Sequence, residues 1–174
     1  MKRLLLLRHA KSERETSEDL KRGLEKRGER DSARMGRYLR DDAYVPDLVL
    51  CSTSTRTRET LKLVLAELGK TPPVQYLTEL YLAEPAVLLS LIRRASDKYG
   101  CVMIVGHNPG LEQCAAALTA PPSEKKHRKR LAAMNEKYPT GTLAVLDFAI
   151  EHWSDVAPGA GELDAFVRPK DFED

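Results

Sequence analysis

The chain reads as an α/β protein, a three-layer α/β/α sandwich with a mostly parallel central sheet. Three observations predict this. Short continuous apolar runs, such as Leu4-Leu5-Leu6-Leu7 and Val102-Met103-Ile104-Val105, have the character of strands covered on both faces. These runs alternate with segments of helical character, the pattern of parallel strands joined by crossover helices. Three of the runs also end abruptly in polar residues able to do chemistry. In open α/β sheets, ligands gather at the carboxyl ends of strands.

The elements follow in order. Residues 2–7 form the first strand, and residues 10–20 are polar and read as a loop. Residues 25–39 hold good helix formers, with Ala33, Met35, Gly36, Tyr38 and Leu39 as a patchy apolar face. Pro46 precedes a second strand, 47–51. Residues 58–68 carry Leu61, Val64, Leu65 and Leu68 at helical spacing, and Gly69 follows as a terminating glycine. Thr71-Pro72-Pro73 turns the chain into a short strand, 74–77. Pro85 opens a helix over 85–96, because proline is tolerated in a first turn. A strand at 101–105 precedes a helix at 110–118, and Pro121-Pro122 breaks the chain. The charged segment 123–137 is helical, and 142–150 is a further strand. Gly159 and Gly161 mark a turn before a last strand, 163–167, antiparallel to its neighbour. No internal repeat or low-complexity linker interrupts residues 1–174, so one domain is expected.

Composition excludes several classes. With 28 Lys and Arg against 26 Asp and Glu, the formal charge is only +2, which argues against general nucleic-acid binding. The longest apolar run is far short of a membrane span, and the leucines after Lys2 and Arg3 are too few for a secretory leader. A cytoplasmic protein with no membrane partner is expected. Cys51, Cys101 and Cys114 lie in apolar segments and read as buried thiols rather than a disulfide framework. No cysteine or histidine pair has metal-ligand spacing.

The chemistry sits at the three strand ends. The first run ends in Arg8-His9, the second runs through Ser52-Thr53-Ser54-Thr55 to Arg56, and the third ends in Gly106-His107-Asn108-Pro109. Arginine suits an anion because its planar fork meets two oxygens and never deprotonates. A histidine is a nucleophile when neutral and a donor when protonated. Asn108-Pro109-Gly110 precedes a helix, whose first N–H groups favour anions. Taken singly, an Arg-His pair is a surface loop, Gly-His-Asn-Pro a turn, and Arg56 a solvated side chain. Together, at strand carboxyl ends, they predict a site for phosphate or carboxylate.

Leu7-Arg8-His9-Ala10-Lys11-Ser12 resembles the signature of the histidine phosphatase (phosphoglycerate mutase-like) superfamily, with Ala10 where the common form has glycine. The wider match is to its branch of bacterial phosphohistidine phosphatases similar to SixA. Arg22-Gly23-Leu24-Glu25-Lys26-Arg27-Gly28 is similar to that branch's Arg-Pro-Leu-x-x-Arg-Gly, with Gly23 for the usual proline. Arg34-Met35-Gly36, Ser52-x-x-x-Arg56-x-x-x-Thr60, Val105-Gly106-His107-Asn108-Pro109, Pro139-Thr140-Gly141-Thr142 and Val167-Arg168-Pro169-Lys170 also agree, in order along nearly the whole chain.

The resemblance implies a phosphoglycerate mutase-like fold and a two-step phosphatase. His9 would attack phosphorus to form a phosphohistidine enzyme, and water would then release inorganic phosphate. Arg8, Arg56 and His107 would hold the phosphoryl oxygens, with Ser52 and Asn108 as further donors. No metal or cofactor is expected. His9 would need one ring nitrogen unprotonated, so the other should donate to a backbone carbonyl. Relatives acting on phosphate esters use a carboxyl group as acid, and Glu79 is the best match by position, with Asp19 and Glu84 behind it. A phosphohistidine substrate lowers the need for an acid, because imidazole leaves more readily than an alkoxide. The brief connections suit a phosphorylated protein as substrate. The rivals are a phosphatase of small phosphoesters and a catalytically silent phosphate-binding module. Arg168 and Lys170 read as structural. The basic run 125–130 reads as a solvated helix face, or else as a dock for an acidic protein or nucleic acid.

Overall fold

A computed structural model describes residues 1–14 and 18–172. Among the described residues one sheet has six strands in the order β3-β2-β4-β1-β5-β6. These are β1 (Lys2–Arg8), β2 (Leu48–Ser52), β3 (Val74–Leu77), β4 (Cys101–Gly106), β5 (Leu143–Phe148) and β6 (Glu162–Val167). The first four run parallel to one another, β5 pairs antiparallel with β1, and β6 antiparallel with β5. The helices are α1 (Lys26–Asp41), α2 (Thr55–Leu68), α3 (Pro85–Arg93), α4 (Gly110–Leu118) and α5 (Lys125–Glu136).

The continuous apolar runs follow from burial of both sheet faces. In β1, Leu4 and Leu6 face one layer with Leu88, Ile92 and Leu111, while Leu5 and Leu7 face the other with Met35, Leu39, Leu61 and Val64. Alternate residues of β2 and β4 divide in the same way, because successive strand side chains point to opposite faces. So α1 and α2 cover one face, and α3, α4 and α5 the other.

Most boundaries fall within two residues of expectation, and two differ by three. Helix α2 begins at Thr55, not at 58, because the Ser54 side chain accepts the Thr57 N–H and caps the helix. Arg56 therefore sits on a helical turn rather than in a loop. Helix α3 stops at Arg93 instead of 96. Beyond it, the Asp97 carboxylate accepts the Trp153 N–H at 2.8 Å, which draws the chain out of the helix. Of the predicted loop 10–20, residues 15–17 lie outside the described residues. The loop also holds a single turn of tighter helix at Asp19–Lys21 and a bridge between Ser12 and Leu24.

Helix α4 starts in close contact with the loop before α3. A Cβ on Gly110 would stand 1.8 Å from the Ala83 carbonyl oxygen. Gly110→Ala is therefore expected to destabilise the fold by about 2 kcal/mol, the usual cost of overpacking. Thermal unfolding should show a Tm lower by about 4–8 °C. An unchanged Tm would mean that the loop yields freely.

Candidate active site

Strand register brings the chemistry together. Arg8 on β1 pairs with Gly106 on β4, so Arg8-His9 and Gly106-His107 leave the sheet side by side. The His9 N–H donates to the Gly106 carbonyl at 3.1 Å, and the His9 carbonyl accepts from the Gly141 N–H at 2.8 Å. A cleft of about 750 Å³ opens there, lined by Arg8, His9, Arg22, Arg56 and His107 among others. Among the described residues no group of His, Cys, Asp or Glu is arranged to hold a metal ion, and no helix is long and apolar enough to cross a membrane.

The two imidazoles have defined proton positions. His9 Nδ1 lies 2.8 Å from the Ala10 carbonyl, which can only accept, so Nδ1 carries the proton and Nε2 keeps its lone pair. Arg56 Nη2 lies 3.3 Å from His107 Nδ1 and can only donate. The His107 proton is then on Nε2, donated to Ser52 Oγ at 2.8 Å. The rings stand 5.4 Å apart between centroids. Burial, with Arg56 and Arg8 nearby, lowers the His9 pKa to about 4 against the pull of the Ala10 carbonyl. Burial, then His9 and Arg56, lowers that of His107 to about 3.

Three arginines surround these rings. Arg56, only 2% exposed, donates to the Asp19 carbonyl at 2.9 Å and to its carboxylate at 3.1 Å. Arg22 donates to the Asp19 carboxylate at 2.9 Å and to Ser12 Oγ at 3.0 Å. Arg8 donates to the Tyr138 carbonyl at 2.9 Å. Each of the three keeps a buried Nε–H with no acceptor among the described residues. All three arginines also line the cleft, where their fixed positive charge favours an anion. Asp19 also accepts from the Tyr81 hydroxyl. That bond, then Arg56 and Arg22, outweighs burial and lowers the Asp19 pKa to about 2.

These shifts make stability depend on pH. Both imidazoles titrate lower in the folded protein than near 6.5 in an unfolded chain. From pH 6.5 down to about 4 the unfolded chain binds more protons, so stability falls as pH falls. His152, raised by Asp97, acts in the opposite sense but is exposed and screened. Unfolding by urea is expected to show a loss of about 3 kcal/mol between pH 7 and pH 5 for the buried pair. His9→Gln should recover part of it. Equal midpoints at the two pH values would contradict this account.

Residues 4–81 match the histidine phosphatase superfamily (branch 1). A solved structure from Agrobacterium tumefaciens, a candidate phosphohistidine phosphatase SixA, is 31% identical, with a TM-score of 0.78, covering 97% of this chain and 98% of that one. The chain belongs to the histidine phosphatase superfamily. A second candidate SixA, from Nakamurella multipartitia, is 29% identical with a TM-score of 0.82, covering 97% of this chain and 96% of that one. An uncharacterized Mycobacterium tuberculosis protein is 36% identical over 166 residues, covering 94% of this chain and all of that one. The sheet and its helices match the phosphoglycerate mutase-like structures of the superfamily, and membership supports phosphatase activity.

Of the residues expected to serve this histidine phosphatase site, His9, Arg8, Arg56, His107 and Asn108 line one cleft. Ser52 does not reach it: it is fully buried behind His107 and fixes that ring. The Asn108 amide is committed to backbone, donating to the Tyr138 carbonyl at 3.0 Å and accepting from Glu112 N–H at 3.2 Å. Glu79 is a correction. It is exposed, pairs with Arg94 at 3.3 Å and lines a separate cavity with Leu77 and Leu91. The tight helical turn Thr78–Leu80 buries Leu80, which turns Glu79 outward and leads Tyr81 inward. Glu84 is exposed at the start of α3 and lies outside the cleft. Asp19 is in the cleft, yet held ionised. The basic run 125–130 lies on α5, outside the cleft. Arg22 and Tyr81 were not anticipated. Arg22 stands in the quoted Arg-x-Leu segment, two residues before Leu24 bridges back to Ser12. Nothing in the sequence marked Tyr81.

Proposed function

We propose that the protein is a phosphohistidine phosphatase acting on a phosphorylated protein, with residues 1–174 forming one catalytic unit. The observation that carries this reading is a neutral His9 with its free Nε2 in a cleft beside Arg8, Arg22 and Arg56, while the carboxylate bonded into that cationic cluster, Asp19, is already held by Arg56, Arg22 and Tyr81. Asp19 is ionised at neutral pH and Glu79 faces another cavity.

In the first step the His9 Nε2 lone pair forms a bond to phosphorus as the bond to the substrate nitrogen breaks. The leaving imidazole departs neutral if its other nitrogen is protonated, so the substrate supplies what an ester would need from an enzyme acid. Arg8, Arg22 and Arg56 hold the non-bridging oxygens and stabilise their charge, with His107 beside them. Those cations serve where a metal would, so no metal or cofactor is invoked. In the second step water attacks phosphorus, the bond to Nε2 breaks, and inorganic phosphate leaves. The three free thiols suit a reducing cytoplasm.

The test is competition between leaving groups. A phosphohistidine peptide, a phosphoserine peptide and an aryl phosphate would be compared by kcat/KM at pH 7.5. The phosphohistidine peptide is expected to be preferred by at least about 100-fold, because each 1.4 kcal/mol of leaving-group advantage is tenfold. Faster cleavage of either ester would overturn the assignment in favour of a small-phosphoester phosphatase. Release of phosphate from none of them would mean a silent binding module.

A further inference from the structure

The cleft does not end at the phosphate-binding residues. Thr140, on its wall, also lines a second recess of about 240 Å³. Arg27, Lys137, Arg168 and Lys170 line this recess against a single carboxylate, Glu136. Arg27 has Asp31 at 3.7 Å, and Arg168 has Asp171 at 3.2 Å. Lys137 and Lys170 have no ion-pair partner among the described residues and are exposed. The closing Arg168-Pro169-Lys170 motif is thus more than a strand terminator, since two of its side chains face the recess.

The recess is held in register with the catalytic histidine. Lys137 is followed by the buried Tyr138, whose carbonyl accepts from Arg8 at 2.9 Å and from Asn108 at 3.0 Å. Three residues on, the Gly141 N–H donates to the His9 carbonyl at 2.8 Å. Gly141 has a positive φ of 76°, and a Cβ there would meet the Pro169 ring at 3.0 Å. Side-chain-free backbone at this point lets the motif pack directly on the catalytic loop. The segment 137–141 therefore joins nucleophile, cleft wall and recess as one unit.

We propose that this recess is a docking subsite for an acidic segment of the phosphorylated protein, next to the phosphohistidine in the cleft. This rests on the phosphohistidine reading above and names the partner's chemistry. A small phosphoester would be bound within the cleft alone. A protein whose phosphohistidine enters the cleft must lay neighbouring residues across its walls, and across Thr140 they meet net positive charge. Complementary charge of this kind speeds encounter and fixes which sequence docks. Lys137 and Lys170, with no internal partner, would lose no existing ion pair on meeting an aspartate or glutamate.

The test uses two phosphohistidine peptides of equal length, one flanked by aspartate and glutamate and one by glutamine, with phosphoramidate as a small donor. The wild-type protein is expected to show a KM for the acidic peptide about tenfold below that for the neutral one. That advantage should fade toward 1 M salt, where screening reaches about 3 Å. The double variant Lys137→Glu, Lys170→Glu should raise KM for the acidic peptide at least about tenfold while leaving kcat and the neutral peptide unchanged. Both positions are exposed, and circular dichroism with the phosphoramidate rate confirms an intact fold. Equal KM values for the two peptides in the wild-type protein, or an equal loss on both in the variant, would overturn the subsite while leaving the phosphatase reading in place. Hydrolysis of phosphoramidate with neither peptide cleaved would overturn the protein substrate, and the subsite with it.

Discussion

Replacing His9 by alanine is expected to lower kcat on a phosphohistidine peptide by about 10⁴-fold or more, the scale on which removing a covalent nucleophile is felt. The wild-type protein, quenched in alkali during turnover, should carry phosphate on His9, and the variant none. The reason lies in proton placement. Nδ1 of His9 is spent on the Ala10 carbonyl, which leaves Nε2 as the one nucleophilic nitrogen of that ring. Burial keeps the ring neutral well below physiological pH, so the lone pair is present in essentially every molecule. His107 is the alternative nucleophile in the same cleft, 5.4 Å away. Its Nδ1 lone pair already accepts from Arg56, and its Nε2 proton goes to Ser52. His107→Ala should therefore still label on His9, more slowly. Mass spectrometry that found the phosphate on His107, or a His9→Ala variant within tenfold of wild type, would reverse the two roles.

Much of the fold was legible because burial on both faces writes itself as unbroken apolar runs. Leu4 to Leu7 and Val102 to Val105 are fully buried, and each run ends where β1 and β4 hand over to His9 and His107. The central cations were legible for the same reason, since a strand end fixes where the next residue goes. What escaped was decided by side-chain direction in irregular backbone. Glu79 and Tyr81 are two residues apart in one short turn, and only the burial of Leu80 decides which faces the cleft. Ser52 follows the strand rule yet ends behind His107 rather than beside a phosphate. Arg22 is brought in by the Ser12–Leu24 bridge, a pairing across a polar loop with no periodic signal.

Arg56→Lys is expected to lower kcat/KM by about 10³-fold with most of the loss in kcat, although the charge is kept. Arg56 is the cation on which the other groups converge. It is almost wholly buried, holds both the carbonyl and the carboxylate of Asp19, and donates to His107. A phosphoryl group in flight needs two oxygens met at once, which a planar fork does and a single ammonium does not. The substitution also loosens Asp19, whose pKa should rise from about 2 as the hydrogen bonds from the guanidinium are lost. It removes the donor that fixes the His107 tautomer as well. These effects can be separated. Asp19→Asn keeps Arg56 in place but removes the carboxylate that competes with phosphate for its N–H groups. That variant should bind inorganic phosphate more tightly than wild type by titration calorimetry, whereas Arg56→Lys should bind it more weakly. If Arg56→Lys lost less than tenfold and Asp19→Asn lost far more, the guanidinium would serve mainly to anchor Asp19, and Asp19 would have to be reconsidered as the proton donor.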